Sequence, residues 1–287
     1  MDNNSASLSE TKRPVSHRPG NSHLRPSTGR HSQTVKPAVI LQPHTIIVKP
    51  IVRSGFFKKS FSSENKFSQI APQEAVTPQF IPNTPDKDIV RIIPLGGVEE
   101  IGKNMTLIEC RDEIVIIDAG FQFPGEEAPG IDYIIPDTTY LQKKKKLIKG
   151  IFVTHGHLDH IGGIPYIVDK IGNPPIYTRL LTSVMIKKRQ DEFPQLAPLN
   201  LKVVESDSRH QVGKHLAVRF FNVTHTIPDA MGIVVETPFG NIIFTGDLKI
   251  DHDNGIPLPH EVATFEKLGK ENTLLLAADS TNVERPG

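Results

Sequence analysis

Apolar residues are distributed unevenly along the chain, and the change in their pattern divides it in two. Residues 1–85 show little apolar periodicity and carry 10 of the 24 prolines, with many serines. Such a segment buries too little surface to offset the entropy of ordering it, so the pattern predicts a disordered extension over 1–85. Ala38–Ile51 stands out within it as a β-branched run punctuated by Pro43 and Pro50. It reads either as a strand that docks on a partner or as an apolar part of the tail.

From Asp86 the apolar runs become element-sized. Ile89–Pro94 predicts a strand ending at Gly96-Gly97. Met105–Glu109 and Ile114–Asp118, parted by the polar Arg111-Asp112-Glu113, predict a hairpin. Pro136–Lys149 predicts a helix closing in the basic run Lys143–Lys146, which reads as a solvated face or as an RNA contact. Gly150–Thr154 predicts a buried strand and Gly162–Lys170 a helix; Ile176-Tyr177 is a short strand and Leu180–Arg189 a helix. Leu201–Glu205, His215–Phe221, Ile233–Glu236 and Asn241–Thr245 predict strands, the last two joined by Thr237-Pro238-Phe239-Gly240. Val262–Leu268 is a further helix and Leu274–Ala278 a closing strand. Strands alternating with helices, with hairpins at the start and near the end, predict a mixed α/β layered domain over 86–287.

Charge sharpens the same boundary. Residues 1–85 hold 11 Lys and Arg against 4 Asp and Glu, and residues 86–287 hold 22 against 28, so the net charge of +1 averages a basic segment and an acidic one. The basic tail suits weak contacts to a phosphate backbone or plain solubilisation. A single cysteine, Cys110, excludes an internal disulfide framework and any all-cysteine metal site within one chain. A reducing compartment, the cytoplasm, is the expectation. No apolar run approaches the roughly 18 residues of a membrane span. The N-terminus lacks the order of a secretion signal, and Pro14, Pro19, Gly20 and Pro26 would break a transit-peptide helix.

The chemistry concentrates in His155-Gly156-His157-Leu158-Asp159-His160, directly after a predicted buried strand. Clustered imidazoles and a carboxylate suit zinc, and also manganese or iron. Gly156, Gly162 and Gly163 fit a tight loop around them. So short a segment cannot complete a catalytic metal centre, and later strand ends offer His225 and, in Thr245-Gly246-Asp247, Asp247. Gly96-Gly97 and Gly102 do not have dinucleotide-fingerprint spacing, and Ser280 has no nucleophile elbow around it. His44, His210, His215, His252 and His260 lack ligand context, and Cys110 reads as a buried apolar residue.

This pattern resembles the metallo-β-lactamase superfamily, whose mark is a His-x-His-x-Asp-His loop, a later His and a later Asp. It resembles more specifically the ribonuclease J family of the β-CASP nuclease branch. The matching strings include Pro94-Leu95-Gly96-Gly97-Val98, Glu100-Ile101-Gly102-Lys103-Asn104-Met105, Ile117-Asp118-Ala119-Gly120 and Gly130-Ile131-Asp132. They continue through Thr154–His160, Ile161–Tyr166, Thr224–Asp229, Thr245–Asp247, Asp279-Ser280-Thr281-Asn282 and Glu284–Gly287, over nearly all of 88–287.

The resemblance implies an αββα sandwich and a role for each residue. His155, His157 and His225 would hold one metal, Asp159 and His160 a second, and Asp247 both. Two Zn2+ are implied, with Mn2+ as the alternative, to activate water and neutralise charge on a phosphorane-like transition state. Asp159, Asp247 and Asp279 are the implied catalytic carboxylates. Asp118 would support the ligand loop, and Asp279 would orient a catalytic histidine; both also read as strand-end turn or cap residues. The implied activity is metal-dependent 5′→3′ exonucleolytic and endonucleolytic hydrolysis of RNA, in mRNA decay and rRNA processing. RNA is the implied partner, with a homo-oligomer or a ribonuclease J-type partner in an RNA-decay complex, and no membrane.

Glu99 and Ala230 depart mildly from the family, which has more often Gly and Ser there. In the family a β-CASP domain is inserted after the Asp279 region, and the returning chain supplies one more histidine ligand. This sequence stops at Gly287. The expectation is therefore a first part of the domain, incomplete at its C-terminus, with little or no activity alone. Two alternatives stay open: a small-molecule metallo-hydrolase such as a thioesterase or lactonase, and an inactive fragment that binds RNA or pairs with a full-length partner.

Overall fold

A computed structural model of the chain describes residues 46–48, 89–125 and 128–283. Apart from 46–48, the extension expected over 1–85 lies outside the described residues, as does Glu284–Gly287.

The first strands are β1 (Ile46–Val48), β2 (Val90–Gly96), β3 (Met105–Cys110) and β4 (Glu113–Ile117). After α1 (Thr139–Gln142) come β5 (Ile148–Phe152), α2 (Leu158–Ile161), α3 (Ile164–Ile167), β6 (Ile176–Thr178), α4 (Leu180–Gln190) and β7 (Leu201–Val203). These seven strands form one sheet in the order β1-β2-β3-β4-β5-β6-β7. It is antiparallel up to β4 and parallel from β4 to β7. The second sheet takes β8 (Arg209–Gln211), β9 (Ala217–Asn222), β10 (Met231–Thr237) and β11 (Gly240–Phe244). A small hairpin follows, β12 (His252–Asp253) and β13 (Ile256–Pro257), and then α5 (Pro259–Gly269). The last strand, β14 (Thr273–Ala277), lies parallel to β11 and completes the order β14-β11-β10-β9-β8.

Alternation along the strands decides the layering. Ile92, Ile108, Val115, Ile117 and Phe152 face inward and pack on Val218, Phe220, Ile233, Val235 and Phe244 of the second sheet. On the other side of the first sheet, Ile93, Leu107, Ile114, Ile116 and Ile151 pack on Ile161, Ile164, Ile167 and Ile186 of α2, α3 and α4. On the outer face of the second, Phe221, Val234 and Ile243 pack on Leu268 and Phe265 of α5. The result is helices, sheet, sheet, helix: the expected αββα arrangement. β4 is buried along its whole length because both its faces are covered. Its first residue, Glu113, is buried at the end of the strand, where its carboxylate accepts the amides of Lys214, His215 and Leu216 and so ties the sheets together.

The Ala38–Ile51 run does contribute a strand, but to its own chain: Ile47 pairs with Arg91 across β1 and β2. One helix expectation is corrected and a second is refined. Residues 136–149 form only the turn α1, a 3-10 turn at Lys145–Leu147 and the first two residues of β5. The chain has to straighten by Ile148, which pairs with Ile114 in the parallel ladder. Within the basic run, Lys144 turns back to Glu109 at 2.7 Å, leaving Lys143, Lys145 and Lys146 exposed. The helix expected over 162–170 is present as α3 continued by a 3-10 turn over Val168–Ile171, and a separate turn, α2, precedes it across the break at Gly162-Gly163 ahead of Pro165. Proline lacks the amide needed to continue the ladder. The strands β8, β12 and β13 are too short to leave a periodic signal. Cys110 is fully buried in β3 as expected, and burial pushes its thiol up to about 11. No helix among the described residues is long and apolar enough to cross a membrane.

Candidate metal centre

β4, β5, β9, β11 and β14 end along one rim of the sandwich, and each is followed there by a residue singled out from the sequence. Asp118 follows β4, the histidine loop follows β5, His225 follows β9, Asp247 follows β11 and Asp279 follows β14. The two sheets are joined at this rim by the Met231 amide donating to the Thr154 carbonyl at 3.0 Å.

The histidine loop is held by backbone on its far side. The Ala119 amide donates to the His160 carbonyl at 2.9 Å, and the Asn104 amide to the Asp159 carbonyl at 2.9 Å. The Gly163 amide returns to the Ala119 carbonyl at 2.9 Å. Gly120 makes this approach feasible: a Cβ there would lie 1.6 Å from the Asp159 carbonyl oxygen. Asp118 has φ 59°, a left-handed conformation that Asp tolerates at some cost and that recurs at functional sites. So held, its carboxylate accepts the Thr154 amide at 2.8 Å and faces His160 Nδ1 at 2.8 Å.

The predicted donors converge in two groups sharing one member. His155, His157, His225 and Asp247 bring one donor atom each within 4.8 Å of one another, and Asp159, His160 and Asp247 do the same. In the first group, His157 Nδ1 lies 3.0 Å from His155 Nε2 and 3.2 Å from His225 Nε2. Asp247 Oδ2 lies 3.8 Å from His155 Nε2 and 3.7 Å from His225 Nε2. In the second, His160 Nε2 lies 3.4 Å from Asp159 Oδ2 and 3.3 Å from Asp247 Oδ1. The two carboxylate oxygens of Asp247 thus serve different groups.

Electrostatics ready these atoms for a cation. Burial, then the charge of His160, pushes the His155 imidazole down to about 2, and burial also lowers His225. Both are therefore neutral, with free lone pairs, at neutral pH. Burial would raise Asp159 and Asp247, but the hydrogen bond and charge of His160 prevail and keep both ionised. Burial opposes a charge on His160, yet the Asp118 carboxylate, helped by Asp159 and Asp247, holds its affinity for a proton well above the ordinary value. Three carboxylates converging on one imidazole mark a place that attracts positive charge.

Asp279 is exposed, and its carboxylate accepts the amides of Leu248 at 3.2 Å and Thr281 at 2.8 Å. That makes it a brace on the residue next to Asp247. Two residues of the site were not singled out from sequence. Asn104 Nδ2 donates to the Asp159 carboxylate at 3.1 Å and lies 3.1 Å from His160 Nε2. Thr154 Oγ1 reaches Asp118 at 3.0 Å and His155 Nδ1 at 3.1 Å. Their signal was only their position beside motif residues.

This sandwich gathers His and Asp donors of metal-ligating type at one rim. The metallo-beta-lactamase superfamily model matches residues 98–280, and the chain belongs to that superfamily. Its similarity is more particular than that. It is 44% identical over 210 residues to ribonuclease J of Thermus thermophilus, covering 70% of this chain and 36% of that protein. It is 40% identical over 209 residues to ribonuclease J of Mycoplasma pneumoniae, covering 73% of this chain and 36% of that protein. The chain thus spans about a third of the length of these relatives. Among solved structures, a protein of unknown function from Enterococcus faecalis shares the fold with TM-score 0.51 at 19% identity, over 68% of this chain and 51% of the other.

Proposed function

We propose that the donors form a paired metal centre and that the chain is the metal-binding part of an RNA-cleaving hydrolase of the ribonuclease J type. The observation that carries this is the division of the Asp247 carboxylate, Oδ2 toward the histidine trio and Oδ1 toward His160. The donor spacings fit one ion per group: ligands about 2.1 Å from a tetrahedral zinc stand roughly 3.4 Å apart. His155 Nε2, His157 Nδ1, His225 Nε2 and Asp247 Oδ2 would hold the first ion, and Asp159, His160 Nε2 and Asp247 Oδ1 the second. Zinc suits this mixed imidazole and carboxylate set, with manganese as the alternative. Two bound zinc ions would supply Lewis acidity and an activated water at neutral pH.

The chain's own residues orient that chemistry. Asp118 faces His160 Nδ1 and keeps a proton there, so a metal ion would take the place of the proton on Nε2. Thr154 holds His155 from behind at Nδ1, and Asn104 donates to the Asp159 carboxylate on the side of the site. The identity to ribonuclease J over most of the described domain supports RNA phosphodiesters as the substrate. The reading extends to exonucleolytic and endonucleolytic cleavage in RNA decay and processing. It includes a homo-oligomer or ribonuclease J-type partner and the cytoplasm, in keeping with the lone buried Cys110. It divides the chain into a basic extension over 1–85, whose β1 adds to the first sheet, and a catalytic domain over 86–287.

The chain loaded with zinc, given single-stranded 5′-monophosphorylated RNA, a thioester and a lactone in parallel, is expected to cleave the RNA alone. Cleavage should be slow, because the second group offers only three donors among the described residues, and a chelator should abolish it. Turnover of the thioester or lactone with the RNA left intact would contradict the reading.

A further inference from the structure

Glu261 takes no part in the chemistry above, yet it is 8% exposed, in the first turn of α5. A carboxylate so placed is costly unless its oxygens are satisfied, and here they are satisfied by two different loops. One oxygen accepts the Thr224 hydroxyl, and the other accepts the Asp251 amide at 2.9 Å. Thr224 is bonded directly to His225, and Asp251 lies on the loop that leaves β11 through Asp247. The same loops meet where the Lys249 amide donates to the Thr224 carbonyl at 2.8 Å. The helix is anchored in turn: the Leu258 amide donates to the Asp251 carbonyl at 2.9 Å, and Leu268 and Phe265 pack on the second sheet. A cavity of about 180 Å³ lies beside the carboxylate, lined in part by Thr224, Leu248, Lys249 and Phe265. On this side the two loops are tied together through the hydrogen bonds of Glu261.

We propose that Glu261 is a positioning residue for the metal centre. From α5 it holds the arms that carry His225 and Asp247 at the spacing from which both reach one cation. The proposal rests on the metal-centre reading given above.

Zinc affinity of the full chain, measured by competition with a chromophoric chelator, tests it on Glu261→Gln and Glu261→Ala. Each variant's stability is measured by chemical denaturation. Glu113→Gln is the control, a buried carboxylate that serves three backbone amides elsewhere in the fold. Glu261→Ala is expected to weaken zinc binding by about tenfold or more, as for residues that orient metal ligands. Glu261→Gln keeps one accepting oxygen and should lose less. Glu113→Gln should lose stability and bind zinc as the unaltered chain does. Unchanged affinity in both Glu261 variants, or an equal loss in Glu113→Gln, overturns the proposal. Absence of zinc binding by the unaltered chain would overturn the metal-centre reading itself, and this proposal with it.

Discussion

Asp247→Ala is expected to weaken binding of the first zinc ion by more than about 100-fold and to eliminate the second. The first group would fall from four donors to three, and the second from three to two. Four-ligand protein zinc sites bind with about 10–16 kcal/mol, so one ligand accounts for roughly 3 kcal/mol, which is more than 100-fold in affinity. The second position would retain only Asp159 and His160, too few to hold a zinc ion against water. His157→Ala makes the contrast, because it touches the first group alone and should leave the second intact. Calorimetric zinc titration of the three proteins reads both effects. Equal stoichiometry and affinity for Asp247→Ala and the unaltered chain would remove the shared carboxylate from the account.

The second large effect is expected at a residue with no side chain. In Gly120→Ala the added methyl would meet the Asp159 carbonyl oxygen at 1.6 Å and its carbonyl carbon at 2.1 Å. Both are backbone atoms, so no rotamer change relieves the clash. Either the 118–121 turn or the ligand-bearing loop must move, and the backbone bonds from Asn104 and Ala119 to Asp159 and His160 would be lost. A cost of about 3 kcal/mol or more is expected, beyond ordinary overpacking. Because the displaced segment carries Asp159 and His160, zinc affinity should fall with stability. Gly269→Ala is the reference: nothing lies within 4 Å of the added carbon, and its position in α5 favours alanine. It should be neutral or stabilising by up to about 1 kcal/mol. Denaturant midpoints that do not separate the two variants would contradict this view of the loop.

Much of this centre was legible in the sequence because its donors sit at strand ends. His155, His157, Asp159 and His160 are local in the chain, and a buried strand leading into them shows that they emerge at a rim. His225 and Asp247 are each weak alone, but parallel strands bring their ends together, so the order of elements carries the information. Asn104 and Glu261 were not legible in this way. Asn104 acts from 55 residues away from Asp159, and Glu261 lies 37 residues from Thr224. No local pattern distinguishes an acid that braces two loops from one that faces water on a helix. The helix expected over 136–149 failed for a related reason. Local propensity favoured helix, but the parallel register at Ile148 is a tertiary constraint.

The most direct test of the central claim is anomalous scattering at the zinc edge from crystals of the zinc-loaded chain. Two peaks are predicted, one on each side of the Asp247 carboxylate. One should be within bonding reach of His155, His157 and His225, the other of Asp159 and His160. Zinc found only elsewhere, or a lone peak without contact to Asp247, would contradict the account.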